Sequence, residues 1–279
     1  PQYSDTDGSM NQSAGNGASV VLSNSTNETS DITIGIDVSK FQGTIDWAQV
    51  ASSGVDFAMI RVGYRAQKTG VIYADTNAKY NMQQAAANGI KVGAYFFSSA
   101  VNEAEAIEEA DWVADFISDY SITYPVAFDC EGFNTSESRQ KSMTKAERTA
   151  VATAFLQEVY DKGYTPMFYA ASSELTNNSQ WNTASLENSY KIWVAQYPST
   201  PYPETPSTSY TGTCSMWQYT NQGRVAGIGT NVDINVAYFG YSGSNGSLSG
   251  ETAAAASPDV EAGMVFTSVN DTVTAKDEV

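Results

Sequence analysis

Tyr124-Pro125-Val126-Ala127-Phe128-Asp129-Cys130-Glu131-Gly132-Phe133 is an apolar run that ends in two carboxylates two positions apart. It reads as a buried strand. Side chains two apart on a strand share a face, so Asp129 and Glu131 are expected to point the same way. Cys130, between them, then faces the opposite side, toward whatever layer covers the sheet.

Working outward, segments of the same kind recur. Strands are expected at 32–37, 57–63, 91–97, 125–129, 165–170, 190–196, 215–219 and 232–236, which makes eight. Helical segments fit between the earlier ones. The stretch 102–120 carries Ile107, Ala110, Val113, Ala114 and Ile117 on helical spacing, with acids in its first turns where the helix dipole favours them. Thr144-Lys145-Ala146-Glu147 is a capping box opening a helix with Val151, Ala154, Phe155 and Val159 on its core stripe, closed by Gly163. Segments 45–53 and 75–88 behave likewise and are closed by Gly54 and Gly89, with Asp46 as a helix cap. After about residue 196 the helical signal vanishes into a loop marked by Pro198, Pro201, Pro203 and Pro206. The pattern predicts an α/β fold, a modified TIM-like barrel with about five β/α units followed by three mostly bare strands.

The chain has 279 residues, 14 basic and 31 acidic, for a formal net charge of −17. So acidic a chain argues against nucleic acid or an anionic membrane as partner, since both call for basic patches. It contains no histidine, which excludes Ser-His and Cys-His nucleophile systems and His-dependent zinc sites, and no metal or other cofactor is expected. Cys130 and Cys214 are too few for a disulfide scaffold and are expected as buried thiols. No run of about 18 apolar residues offers a membrane span. Residues 1–30, rich in Ser, Asn, Gly and Thr, read as a flexible lead, 31–240 as the barrel and 241–263 as a linker. Residues 264–279 resume β-like alternation and read as the opening of a further β module. Starting at Pro1 and lacking a signal peptide, the chain reads as a processed form or fragment.

In a parallel barrel, reactive residues gather at the C-terminal ends of the strands. Asp37, Asp129, Glu131 and Asp233 meet that rule, and closure would bring Asp37 and Asp233 together, across the mouth from the other two. Paired carboxylates at such a mouth are what glycosidic bond hydrolysis requires: a proton donor, and a carboxylate to attack or to stabilise positive charge. Tyr64, Tyr95, Tyr169, Trp193, Trp217 and Gln218 stand at other strand ends, with Arg61 on the second strand. Aromatic faces suit sugar rings while amides and acids bind hydroxyls, although each such residue has a competing reading as barrel filling.

Six ordered motifs carry a family resemblance. They are Gly35-Ile-Asp-Val-Ser-Lys-Phe-Gln-Gly43 with Ile45-Asp-Trp47, Phe57-Ala-Met-Ile-Arg-Val-Gly63, Gly93-Ala-Tyr-Phe-Phe97, Asp129-Cys-Glu131, Trp217-Gln-Tyr219 and Val232-Asp-Ile-Asn235. Over residues 31–240 the chain resembles the glycoside hydrolase family 25 lysozymes. That resemblance implies cleavage of the β-1,4 bond between N-acetylmuramic acid and N-acetylglucosamine in bacterial cell-wall peptidoglycan, by a secreted or wall-associated monomer. It implies Glu131 as general acid, Asp129 as its partner, and Asp37 and Asp233 in support. Tyr64, Tyr95, Tyr169 and Gln218 are then implied substrate contacts. Cys130 departs from the aliphatic residue more usual between the two acids. The segment 265–279 is similar to the start of bacterial SH3-type wall-binding modules.

Three mechanisms stay open at this level: direct attack, inversion, and assistance by the substrate's own 2-acetamido group, which is favoured. A chitinase-type enzyme is one rival, but its longer Asp-x-x-Asp-x-Asp-x-Glu run would need acids where Tyr124 and Ala127 stand. A catalytically silent wall-binding module is the other.

Overall fold

The computed structural model describes residues 21–243. In chain order these form β1 (Glu28–Thr29), β2 (Thr33–Val38), α1 (Trp47–Ser52), β3 (Phe57–Arg65), β4 (Ile72–Ala74), α2 (Ala78–Ala87) and β5 (Lys91–Phe97). There follow α3 (Glu103–Ile117), β6 (Val126–Asp129), α4 (Lys145–Asp161), β7 (Pro166–Ala171), α5 (Ser172–Leu175) and α6 (Thr183–Glu187). The last elements are β8 (Lys191–Ala195), β9 (Met216–Gly223), β10 (Val232–Ala237) and β11 (Gly240–Tyr241).

Eight strands close on themselves in the order β2-β10-β9-β8-β7-β6-β5-β3, with β2 pairing back to β3. This is the modified TIM-like barrel expected: each of the first five barrel strands is followed by helix, and β8, β9 and β10 follow one another without one. Local chemistry sets the helix starts. Asp46 caps α1 by accepting from Gln49 N, Asn102 caps α3 through Glu105 N, and Thr144 with Glu147 closes a reciprocal capping box on α4.

One direction differs from the sequence expectation. Pairing is parallel from β2 through β3, β5, β6, β7 and β8 to β9, but β10 is antiparallel to both its neighbours. Asp233 is the second residue of β10. Only because that strand is reversed does its start lie at the same barrel end as the C-terminal ends of the others.

Alternation along each strand divides two cores. Outward side chains such as Ile60, Phe96, Phe128 and Ile192 pack with Ala110, Val113 and Phe155 of the helices. Inward side chains fill the barrel with Phe57, Met59, Met167, Trp193 and Met216, plugged at the N-terminal end by Tyr124, Phe239 and Tyr241. Phe57 and Tyr124 stack at 4.2 Å between centroids, and Tyr241 meets Tyr124 edge-on at 4.9 Å. Gly35 makes this plug possible, because a Cβ there would overlap the Phe57 ring.

At the far end of β3 a register shift between Arg61 and Gly63 marks a bulge. The extra residue changes which face the strand presents, so Tyr64 joins the Arg61 side while Gly63 backs onto Trp112 of α3.

The terminal expectations fall mostly outside the described residues, as does the whole of 264–279. Where the expected lead 1–30 enters the structure it lies against the barrel: Leu22 N bonds to Ser189 O, and β1 pairs with β11. Cys130 and Cys214 are both thiols, and Cys130 is buried against the outer layer as its alternation with Asp129 requires.

Candidate active site

Asp37 ends up opposite Asp233, its direct partner in the antiparallel β2–β10 register. Both are buried, and so is Asp129, the last residue of β6. Because β6 stops there, Glu131 is not on the strand, as same-face spacing would have it, but in the loop beyond. Its backbone is held instead by Gln67, whose Nε2 donates to Glu131 O at 2.9 Å, and by Gly132 at φ 65°. Glu131 is partly exposed.

A hydrogen-bond network fixes the Asp37 side of the mouth. Asp37 Oδ2 accepts from Gln218 Nε2 at 2.8 Å and from Asn235 Nδ2 at 2.9 Å. Gln218 Oε1 in turn accepts from the hydroxyls of Tyr169 (3.0 Å) and Tyr197 (2.6 Å), and Asn235 Oδ1 from Trp193 Nε1 (2.8 Å). With its carbonyl oxygen claimed by two hydroxyls, the Gln218 amide must turn its NH₂ toward Asp37.

Three tyrosines report how closely the acids converge. Burial pushes the hydroxyls of Tyr95, Tyr169 and Tyr197 well above the ordinary phenol value. Surrounding carboxylates push further: Asp37, Asp129 and Asp233 at Tyr95, against the opposing charge of Arg61. Glu131, Asp129 and Asp37 act on Tyr169, and Asp233, Asp37 and Glu131 on Tyr197. All four acids thus act on this group of tyrosines, whose hydroxyls stay protonated at neutral pH, those of Tyr169 and Tyr197 as donors to Gln218.

The remaining expected contacts divide. Tyr64 and Tyr95 are partly exposed at the mouth, while Tyr169 and Gln218 are buried members of the Asp37 network. Trp217 is a correction: it faces outward, fully buried, and its Nε1 bonds to Gln196 O. Alternation on β9 requires this, since neighbouring Gln218 faces in. Trp193 faces inward but is 2% exposed, so it supports Asn235 rather than offering a surface to a ligand. Arg61 is likewise buried, its Nε on Asp75 Oδ2 at 2.9 Å and its guanidinium against the rings of Phe41 and Tyr64.

Tyr197 and Asn235 were missed as site residues. Asn235 carried a signal, being two residues from Asp233 on one strand; Tyr197 lies past the end of β8, where periodicity says nothing. Glu174 lies within reach of Glu131's charge. Burial pushes its carboxyl up to about 7, Glu131's charge adds to this, and a bond from Trp181 Nε1 (3.3 Å) and the charge of Arg148 oppose it. Among the described residues, no group of three or more His, Cys, Asp or Glu is disposed to hold a metal ion. No helix among them is long and apolar enough to cross a membrane.

Comparison with known proteins places the fold and the family. Lysozyme M1 of Streptomyces globisporus is 30% identical over 213 residues, covering 72% of this chain and 66% of its own length. The solved bacterial lysozyme of Streptomyces coelicolor shares the fold with a TM-score of 0.57 at 24% identity, over 77% of this chain and 94% of that one. The modular autolysin LytC of Streptococcus pneumoniae does so with a TM-score of 0.61 at 24% identity, over 75% of this chain and 47% of its own. This chain thus spans about two thirds of Lysozyme M1 and about half of LytC. The family model described as glycosyl hydrolases family 25 matches residues 36–228, most of the barrel, and the chain belongs to that family.

Proposed function

We propose that the chain hydrolyses peptidoglycan at the β-1,4 bond between N-acetylmuramic acid and N-acetylglucosamine, acting outside the cell or at the wall. The observation that supports this reading most is that Asp37 pairs with Asp233 across β2 and β10, while Tyr169, the register partner of Asp129, shares Gln218 with Asp37, and Glu131 follows two residues after Asp129.

Glu131, the most exposed of the four, donates a proton to the leaving glycosidic oxygen. As that bond breaks, positive charge develops on the anomeric carbon and ring oxygen, and the negative field of Asp129 stabilises it. The substrate's 2-acetamido group supplies the attacking carbonyl oxygen while Asp129 orients its N–H, and water then opens the resulting ring with retention. Asp37 is fixed by two amide donors, and Asp233 stands opposite it.

Purified sacculi digested by the protein, reduced with borohydride and analysed by mass spectrometry should yield muramic acid alditol. Glucosamine alditol would assign the cut to the other bond. Release of reducing ends from chitin but not from sacculi would replace the substrate altogether. Proton NMR of the first product anomer checks the mechanism, since inversion would remove the acetamido route.

A further inference from the structure

Lys40 lies three residues beyond Asp37, in a one-turn 3-10 helix, Lys40–Gln42, held by a capping box. Ser39 N donates to Gln42 Oε1 at 2.8 Å and Phe41 N to Ser39 Oγ at 3.3 Å, while Lys40 N donates to Asp75 Oδ2 at 3.0 Å. The backbone of this turn is therefore fixed to the mouth. Its Nζ lies 5.3 Å from the Phe41 centroid and 5.2 Å from that of Tyr64, and the Arg61 guanidinium packs on the same two rings.

Lys40 and Arg61 together put positive charge against the Tyr64 ring in a chain of net charge −17. Lys68, Lys162 and Lys191 each reach a carboxylate; Lys40, like Lys79, Lys91, Lys141 and Lys145, makes no ion pair among the described residues. Asp75, the acid bonded to its backbone, already receives Arg61 Nε and Asn77 N. Two aromatic faces hold an ammonium in place and leave its N–H groups able to donate to an acceptor that reaches the mouth. The rings themselves face solvent: Phe41 is 43% exposed, and Tyr73, stacked on Tyr64 at 5.6 Å, is 46% exposed.

We propose that Lys40, on the platform of Phe41, Tyr64 and Tyr73, is a subsite for a carboxylate borne on the glycan, the rings packing against sugar faces beside it. This rests on the peptidoglycan reading. A neutral polymer of N-acetylglucosamine offers no such anion, whereas muramic acid carries a lactyl group from which the stem peptide extends. The carboxylate comes either from the stem peptide or, where the stem has been removed, from the lactyl group itself.

The test compares wild type, Lys40→Met and Lys40→Arg on soluble muropeptide oligomers with free stem carboxylates, the same oligomers amidated, and stem-free strands bearing lactyl carboxylates. Lys79→Met, on the outer helix α2, is the control for loss of any surface lysine. Lys40→Met should lower kcat/KM about three- to tenfold on a carboxylate substrate, through KM, with kcat within about twofold, as expected for one charge-assisted contact. Lys40→Arg should retain most of the activity, and the wild-type preference should shrink as salt is raised. Loss on the stem-bearing oligomers alone assigns the stem carboxylate; loss on the stem-free strands alone assigns the lactyl group. Equal loss on free and amidated substrates, or no loss on any, overturns the subsite while wild-type turnover keeps the hydrolase reading intact. Wild type inactive on all three would instead remove that reading.

Discussion

The two ends of this barrel are made by the same eight strands and have opposite chemistry. At the N-terminal end Phe57, Tyr124, Phe239 and Tyr241 close the interior with stacked and edge-on rings. At the other, buried Asp37, Asp129 and Asp233 stand with amides and tyrosine hydroxyls around an opening. Apolar filling needs only volume and contributes stability. Buried carboxylates cost stability unless held by donors, and are retained where their charge is used. The closed end should therefore govern how firmly the chain folds, and the open end what it does.

Substitution at Glu131 gives the largest expected effect. Glu131→Gln should lower kcat roughly 10²- to 10⁴-fold by removing the proton donor. Co-sedimentation with cell walls and thermal stability should stay near wild type; turnover close to normal in that variant would end the assignment. The mirror experiment is Phe57→Ala at the plug, expected to cost about 3–5 kcal/mol of stability in denaturant titration. At temperatures where that variant remains folded its kcat should lie within about twofold of wild type, and a large kcat loss would show the two ends to be coupled. Asp37→Asn should come next, with a loss of roughly 10- to 100-fold in kcat from removing one charge of the preorganised field. Its measured pH-rate profile separates that loss from misfolding.

The smallest effect concerns pH. Glu174 is raised in the folded protein to about 7 from an ordinary 4.5, chiefly by burial, so the folded state holds its proton over that interval while the unfolded state does not. Its contribution is therefore fully present below about pH 4.5 and falls as pH rises toward 7. Denaturation midpoints should decline across that window, and Glu174→Gln should flatten the decline; an unchanged slope would place its origin elsewhere.

Much of the architecture could be read from residue order. Apolar strands, capping boxes such as Thr144 with Glu147, and glycines after helices are local signals, and the local free energies behind them survive into the tertiary structure. The expected strand 91–97 matches β5 to the residue, and the loss of helices after 196 corresponds to β8, β9 and β10. Short elements were missed, among them β4 and α5, because three or four residues carry no periodicity to detect.

For the site, residue order alone determined that Asp37, Asp129 and Asp233 fall at strand ends and that Glu131 follows close on one, since hydrophobic alternation and turn residues mark those ends locally. Tertiary structure decided the rest. The reversal of β10 brings Asp233 to the mouth, the bulge in β3 turns Tyr64 to the Arg61 side, and the end of β6 leaves Glu131 to be held by Gln67. It also sent Trp217 into the outer layer and drew Tyr197 into the Asp37 network. Strand direction, bulges and cross-chain hydrogen bonds are settled only when distant segments pair, and no local propensity encodes which partner that will be.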